Sequence, residues 1–302
     1  MASLPPTVWG NHRLDWGQQT YLMGILNVTP DSFSGDGLVG EELTQDDIVT
    51  RALEQAQQFV AEGATLIDVG GESTRPNFIP ISIKQEIARV VPVISALRAV
   101  LSEEVIISID TYKVEVASHA LDAGASIIND ISLRSDQRVA ALAAERDVPI
   151  VIMANMRGFQ KRDIVSDVLR YLANGIDLAL SAGVAWEHII IDPGIGFGTT
   201  PEENLTLLRR LGELRALGRP ILLGTSRKST IGRVLGGLPA SERLEGTAAT
   251  VALGIAQGAD IVRVHDVREM MLVVKMSDAI VRGQAQGMVT SRGQAQGTVP
   301  TG

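Results

Sequence analysis

The sequence of 302 residues contains no cysteine. Disulfides, thiolate metal sites and a cysteine nucleophile are therefore excluded. Histidine is also scarce, with four residues in the chain. There is no HExxH motif, no cluster of histidines and no nucleophile elbow. These absences argue against a structural zinc site, a redox metal and the serine-hydrolase mechanism.

Long apolar runs are missing as well. The apolar stretches are short and interrupted by Gly, Asp or Asn, well below the roughly 20 residues of a membrane span. The opening residues, MASLPPTVWGNHRLDWG, lack the basic region and apolar core of an export signal. The net charge of −8 is unsuited to non-specific nucleic-acid binding. We therefore expect a cytoplasmic protein that binds neither membrane nor nucleic acid.

Eight short runs rich in Ile, Val and Leu recur along the chain, and a longer amphipathic segment follows each. The runs cover 21–28, 64–70, 105–111, 126–130, 149–155, 188–194, 220–226 and 261–266. Near-continuous apolar content is typical of parallel strands that are buried on both faces. The alternation predicts an α/β protein with the fold of a (β/α)8 TIM barrel. A doubly wound open sheet is the alternative.

Helical spacing and glycine positions complete the predicted architecture. The spacing predicts helices over 46–62, 84–101, 202–217 and 243–257. Five glycines are expected to cap helix C-termini: Gly63, Gly124, Gly183, Gly218 and Gly258. We expect one barrel domain over 21–281, a short N-terminal cap over 1–20 and a flexible, low-complexity tail over 282–302. The tail contains RGQAQG twice, for which disorder is the favoured interpretation and a functional repeat the alternative.

Nearly every predicted strand ends in polar side chains. Burying such a group without a partner costs roughly 2–7 kcal/mol. Their recurrence at the same end of the strands therefore indicates a shared pocket, because the carboxyl ends of barrel strands form one face. Some Asp and Asn residues at the strand ends are expected only to cap the next helix, among them Asp130 and Asp266. The strand-end residues are Asn27, Asp68, Asp110, Asn129, Asp130, Asn155, Asp192, Ser226, Arg227, Lys228, Arg263 and His265.

The charged residues at the strand ends, together with Arg75 in the loop after the second strand, divide into an acidic floor and a cationic rim. Carboxylates suit a flat ring that carries N–H donors, and the cations suit a diphosphate. Asn27 with nearby Asp31 is a candidate for Mg2+, which takes few protein oxygens and completes its shell with substrate phosphates. The combination indicates transfer of a group from a phosphate-bearing leaving group. The floor consists of Asp68, Asp110 and Asp192, and the rim of Arg75, Lys228, Arg263 and His265.

Three loops rich in Gly, Ser and Thr adjoin the predicted pocket. GGESTRP (70–76) follows the second strand, DPGIGFG (192–198) the sixth and GTSRKSTIG (224–232) the seventh. Phe197 is either a loop anchor or a wall for a flat ligand. Ser229 precedes a predicted helix and is placed to meet a carboxylate or phosphate.

These motifs carry a resemblance to a known family. MGILNVTPDSFSGDG, IDVGGESTRP, SIDTYK, IINDIS, IDPGIGFG, GTSRKSTIG, SERLEGT and RVHDV occur in the family's order. From about Tyr21 to Val281 the chain resembles the dihydropteroate synthases of folate biosynthesis. The resemblance implies a transferase that condenses 7,8-dihydropterin-6-ylmethyl diphosphate with 4-aminobenzoate to give 7,8-dihydropteroate and diphosphate. It also implies a TIM barrel, Mg2+ as cofactor and a homodimer.

The resemblance further implies roles for individual residues. The dihydropterin would be bound by Asp110, Asn129, Asp192 and Lys228. The diphosphate would be held by Asn27, Arg75, Arg263 and His265, with Asn27 also near Mg2+. The 4-aminobenzoate pocket would be lined by Thr74, Pro76, Phe197, Lys228 and Ser229. Asp31 would lie on a loop that closes over the site, and catalysis is expected to depend on Asn27, Asp31, Lys228, Arg263 and His265.

Two alternative functions share the barrel. The stretch VIMANMRG places Ala154 and Asn155 where the family usually has Met-His, which favours a pterin-binding paralogue without synthase activity. A pterin-dependent methyltransferase domain is the other alternative, although its usual corrinoid module is not seen in this sequence. In the last helices one set of apolar residues supplies either the barrel core or a dimer interface: Val251, Leu253, Ile255, Leu272, Val273 and Val274.

Overall fold

The computed structural model describes residues 4–29, 44–72, 80–130 and 137–283. Within these ranges the strands are β1 (Thr7–Trp9), β2 (His12–Leu14), β3 (Tyr21–Asn27), β4 (Leu66–Gly70), β5 (Ile106–Asp110), β6 (Ile127–Asp130), β7 (Ile150–Met153), β8 (Ile189–Asp192), β9 (Leu222–Leu223) and β10 (Ile261–Val264). The α-helices are α1 (Gln45–Ala61), α2 (Ile83–Val100), α3 (Val114–Asp122), α4 (Arg138–Glu145), α5 (Ile164–Ser181), α6 (Pro201–Arg209), α7 (Ser229–Val234), α8 (Leu244–Ala256) and α9 (Val267–Val281). Three 3₁₀ turns cover Trp186–His188, Leu211–Leu217 and Ala240–Glu242.

Strands β3 to β10 form one parallel sheet in the order β8-β7-β6-β5-β4-β3-β10-β9. A parallel bridge between Ile191 and Ile221 joins the two edges. Each strand therefore lies beside its sequence neighbours and the sheet closes on itself, whereas a doubly wound sheet reverses its strand order. The predicted (β/α)8 barrel is confirmed, and the open sheet is excluded.

The predicted helices are present with one correction. The segment 202–217 does not form a single helix, because α6 ends at Arg209 and a 3₁₀ turn follows over Leu211–Leu217. At Arg210 the backbone leaves the helical region, with φ −112° and ψ 18°. The five glycines predicted to cap helices all have positive φ, as in Gly63 at 106°, which is the conformation that glycine supplies after a helix.

The N-terminal segment covers the end of the barrel opposite the polar strand ends. Strands β1 and β2 form an antiparallel hairpin. The Thr7 hydroxyl donates to the carbonyl of Glu187 at 2.6 Å, just before β8 begins. Trp9 and Trp16 are buried in the same core as the barrel strands. The two RGQAQG copies lie at 282–287 and 292–297, almost wholly beyond residue 283, where the described residues end.

The apolar residues of the last two helices divide between the barrel core and the protein surface. Val251, Ile255 and Val274 are buried in the core. Leu253 and Leu272 are instead 65% and 67% exposed. Over the described ranges, none of the helices combines the length and the apolar character needed to cross a membrane.

Candidate active site

Strand register brings polar side chains into one layer at the carboxyl end of the barrel. Asn27 pairs with Gly70, Gly70 with Asp110, and Asp110 with Asn129. A Cβ atom at Gly70 would lie 3.8 Å from the Asn27 Oδ1 atom and 3.6 Å from the Asp110 Cβ atom. The glycine therefore keeps open the space between the Asn27 and Asp110 side chains.

Arg263 joins the acids of this layer into a buried charge cluster. Its Nε atom donates to Asp68 Oδ2 at 2.5 Å, and its Nη2 atom donates to Asp110 Oδ2 at 2.7 Å. Asn129 donates to the same oxygen of Asp68 at 3.1 Å. Asp68 is fully buried, and its Oδ1 atom accepts no hydrogen bond from the described residues. The predicted rim residue Arg263 thus lies on the floor, between two of the predicted floor acids.

Asp192 also lies near Arg263. Its Oδ1 atom accepts a hydrogen bond from the backbone N–H of Gly194 at 2.7 Å. A Cβ atom at Gly224 would lie 4.0 Å from Asp192 Oδ2 and 3.9 Å from the Arg263 Cβ atom. The two side chains therefore flank a second glycine gap, and Arg263 lies within electrostatic reach of all three floor acids.

Phe197 lies between two cations beside the floor. The Lys228 Nζ atom is 4.6 Å from the centroid of the ring, and the Arg157 Cζ atom is 4.9 Å from it. The Phe197 carbonyl accepts a hydrogen bond from the Met156 N–H at 2.9 Å. The loop is thus anchored by its backbone while the half-buried ring borders the site. The contribution of Arg157 was not predicted, although its place after β7 was a signal that could have identified it.

The loops after β9 and β10 meet at Ser226 and His265. The Ser226 Oγ atom lies 2.9 Å from His265 Nδ1 and accepts the backbone N–H of His265 at 3.1 Å. In the next position along each loop, Arg227 Nε donates to Asp266 Oδ2 at 3.0 Å. The prediction that Asp266 caps α9 through its side chain is wrong, since no such bond is made. The same prediction for Asp130 is wrong because α4 begins only at Arg138. The Asp266 carboxylate instead accepts two hydrogen bonds from the Arg227 guanidinium. Such a charge-assisted bidentate pair is stronger than a hydrogen bond to a backbone N–H of the helix.

The remaining predicted residues fall in three groups. Ser229 is exposed at the first position of α7. Asn155 accepts the N–H of Arg157 at 3.3 Å and so shapes its own loop. Outside the described residues lie Asp31, Thr74, Arg75 and Pro76.

A second buried charge cluster lies next to the floor. Lys113 Nζ donates to Glu72 at 2.7 Å and to Glu86 at 2.5 Å. It also donates to the carbonyl of Ile81 at 2.9 Å, and Glu72 accepts the N–H of Ile81 at 2.8 Å. The cluster ties together positions 72 and 81, which lie on either side of the predicted binding residues Thr74, Arg75 and Pro76. Sequence reasoning did not identify this cluster.

Burial is the largest influence on the pKa values of the charged groups in the site. Burial raises the pKa of Asp110 to about 7, although the charge of Arg263 opposes the shift. Burial also raises the pKa of Asp192, against the charge of Lys228. The Lys228 ammonium is desolvated in turn, which lowers its pKa to about 8. Burial alone would lower the pKa of Arg263, but Asp68 and Asp110 raise it, so this guanidinium stays charged.

The sequence matches a protein family described as pterin binding enzyme over residues 23–265. The dihydropteroate synthase of Bacillus subtilis is 48% identical over 269 residues, covering 89% of this chain and 91% of that protein. A structure of the Xanthomonas albilineans dihydropteroate synthase with 4-aminobenzoic acid is 36% identical, with a TM-score of 0.84, over 92% of this chain and 98% of that one. Another structure of that organism's synthase, in complex with 7,8-dihydropteroate, is 34% identical, with a TM-score of 0.81, over 91% and 98% of the two chains.

Proposed function

We propose how this site works from the premise that the chain belongs to the pterin-binding enzyme family, and within it to the dihydropteroate synthases. The protein is a transferase of folate biosynthesis. It joins 7,8-dihydropterin-6-ylmethyl diphosphate to 4-aminobenzoate and releases diphosphate. The observation that carries the residue assignment is the buried cluster of Asp68, Arg263 and Asp110 at the carboxyl end of the barrel.

The acidic floor binds the pterin ring. A dihydropterin presents several N–H donors in one plane, and the carboxylates of Asp110 and Asp192 supply acceptors for them. Both groups are desolvated, and a buried carboxylate gains from each donor that replaces lost water. Asn129 is held by Asp68, which fixes the orientation of its amide toward the same ring.

Arg263 and His265 bind the diphosphate. Two nitrogens of Arg263, Nε and Nη2, are engaged by the floor acids, and its third nitrogen, Nη1, is the one assigned to the diphosphate. His265 is fixed by Ser226 on the neighbouring loop. When the bond between the pterin methylene and the diphosphate breaks, these donors stabilise the charge that develops on the leaving group.

The arylamine attacks the methylene carbon from the side of Lys228, Phe197 and Ser229. The electron-rich dihydropterin delocalises the positive charge left on that carbon. The amine of 4-aminobenzoate is neutral near pH 7, so it attacks without a dedicated base and loses one proton to water or to the released diphosphate after the C–N bond has formed. The Lys228 ammonium attracts the carboxylate of 4-aminobenzoate. Exclusion of water by the loops prevents water from attacking the positively charged methylene carbon in place of the arylamine.

The residues present fit a magnesium ion that is held mainly by the substrate. The Asn27 amide oxygen borders the gap at Gly70, and the described residues contain no group of three or more His, Cys, Asp or Glu able to hold a metal. Mg2+ commonly binds through one or two protein oxygens together with substrate phosphates and water. Asn27 would hold the ion, which supplies positive charge to the diphosphate oxygens when bound.

The pH dependence of ring binding tests these assignments. Ring N–H donors need ionised carboxylates, so binding should lower the raised pKa of Asp110 and release a proton below pH 7. We expect the affinity for a 6-hydroxymethyl pterin to fall about tenfold between pH 8 and pH 6. Calorimetry in buffers of different ionisation enthalpy should detect about one proton released at pH 6 and none at pH 8.

Two variants serve as the comparison for this titration. Asp110→Asn should bind the ring weakly and without this pH dependence. Asp260→Asn is the matched control, because Asp260 is a buried carboxyl that lies just before β10, at the opposite end of the barrel. It should behave as the unmodified protein does. Equal ring affinity at both pH values in the unmodified protein would remove Asp110 from the ring site.

We also propose that the protein forms a homodimer through an apolar face on α8 and α9. Leu253 on α8 and Leu272, Met276 and Ile280 on α9 are all more than 60% exposed, and the three on α9 follow each other at intervals of four residues. Exposed apolar side chains in such a row are typical of an interface.

Sedimentation should show a dimer that becomes a monomer in the variant Leu272→Lys, since a charge would be buried in the interface. The control Val100→Lys changes an exposed apolar residue at the end of α2 and should leave the dimer intact. A monomer before any substitution would contradict this assignment.

A further inference from the structure

The loops after β9 and β10 are joined by two consecutive side-chain contacts, which we call the two-rung bridge. The first rung is Ser226 with His265, at 2.9 Å between Oγ and Nδ1. The second rung is Arg227 with Asp266, in which Nε donates at 3.0 Å and Nη2 bonds the other carboxylate oxygen. Because Arg227 directly follows Ser226 and Asp266 directly follows His265, the bridge fixes the relative position and the relative rotation of the two loops.

Arg227 occupies a backbone position that ordinarily belongs to glycine. The Lys228 N–H donates to the Thr225 carbonyl at 3.1 Å and closes a turn in which Arg227 is the third residue. Its φ is +57°, and turns with a positive φ at this position favour glycine. The Thr247 hydroxyl accepts the Arg227 N–H at 3.1 Å, and the Arg243 side chain donates to the Arg227 carbonyl at 2.7 Å. The surroundings thus hold a strained residue whose side chain makes a contact that glycine would lack.

We propose that Arg227 and Asp266 are positioning residues, whose bridge couples the arylamine half of the site to the diphosphate half. The inference rests on the proposed function, in which Lys228 follows Arg227 and binds the arylamine while His265 precedes Asp266 and binds the diphosphate. Without the second rung each loop keeps its own turn, but the distance between Lys228 and His265 is no longer fixed. Diphosphate bound at His265 then no longer orders the arylamine pocket.

The variants Arg227→Gly and Asp266→Asn test the coupling. Glycine relieves the strained φ and asparagine keeps the shape of aspartate, so both variants should melt at the temperature of the unmodified protein. We expect the KM for 4-aminobenzoate to rise about tenfold, and the binding of inorganic diphosphate to weaken by a similar factor. The affinity for a 6-hydroxymethyl pterin should hold within about threefold, because the floor lies on the strands rather than on these loops.

The double variant should show the same KM and the same diphosphate binding as either single variant, because both substitutions remove the same contact. Arg146→Ala is the matched control. It breaks the Arg146–Asp122 pair, in which the arginine side chain is 35% exposed, against 38% for Arg227, and no measured quantity should change. The proposal is overturned if the KM and diphosphate binding stay within twofold of their original values. The proposal is also overturned if the ring affinity and the melting temperature fall while the KM rises and diphosphate binding weakens, since the bridge would then be merely structural. Failure of the proposed function would appear separately, as absence of dihydropteroate formation by the unmodified protein.

Discussion

Replacement of Arg263 by methionine is expected to lower turnover on the order of 10²–10³-fold, because a donor to the departing diphosphate is lost. The same change should lower the free energy of unfolding by about 3–5 kcal/mol, because it leaves Asp68 and Asp110 buried without their counter-charge. The loss of turnover, measured on protein that is folded at the assay temperature, should exceed the loss of affinity for a pterin without diphosphate.

Arg263→Lys separates the two effects of this substitution. Lysine retains a positive charge near the acids, so much of the lost stability should return. It cannot donate along two fixed directions to Asp68 and Asp110 while also reaching the diphosphate, so turnover should remain low. Equal losses in turnover and ring affinity for both variants would show that Arg263 acts only by holding the floor together.

Replacement of Lys113 by methionine is expected to lower the free energy of unfolding by about 3–5 kcal/mol, because Glu72 and Glu86 remain as buried charges. Burial opposes the charge of Lys113, but its bonds to both glutamates raise its pKa, and the same contacts hold the pKa of Glu72 low against its own burial. A raised lysine pKa stabilises the fold until the pH rises through it. A lowered glutamate pKa stabilises the fold until the pH falls through it. The full contribution is therefore present at neutral pH, where denaturant unfolding should measure it.

Lys161→Met is the comparison for this prediction. Lys161 bonds Glu203 at 2.5 Å, but both side chains are partly exposed, so its removal should cost about 1 kcal/mol or less. The KM for 4-aminobenzoate should rise in Lys113→Met, since Lys113 bonds positions 72 and 81 on either side of the predicted arylamine-pocket residues Thr74 and Pro76. Similar unfolding energies for the two variants would contradict the buried role of Lys113.

The fold follows from local patterns in the sequence. All eight barrel strands occur where apolar runs predict them, because a strand buried on both faces must be apolar along its length. The glycines after helices were predictable because few other residues adopt their conformation. The break at Arg210 was not, since the apolar spacing continues through it and the turn becomes visible only in the backbone angles.

The candidate site was predictable in its composition but not in its pairing. Strand ends identified Asp68 and Arg263, but the bond between them joins residues 195 positions apart, and spacing carries no information on that distance. The role of Asp266 was mistaken for the same reason, since its partner Arg227 is 39 positions away. Lys113 belongs to neither a strand end nor a glycine-rich loop, so no local pattern singled it out.

Release of diphosphate from 7,8-dihydropterin-6-ylmethyl diphosphate, followed with and without 4-aminobenzoate, tests the central claim most directly. If one site binds the pterin ring through its carboxylates and transfers the pterin methylene group to the arylamine, diphosphate should appear only when the arylamine is present. One dihydropteroate should then form for each diphosphate. Release at the same rate without the arylamine, or pterin binding with no release at all, would contradict the account.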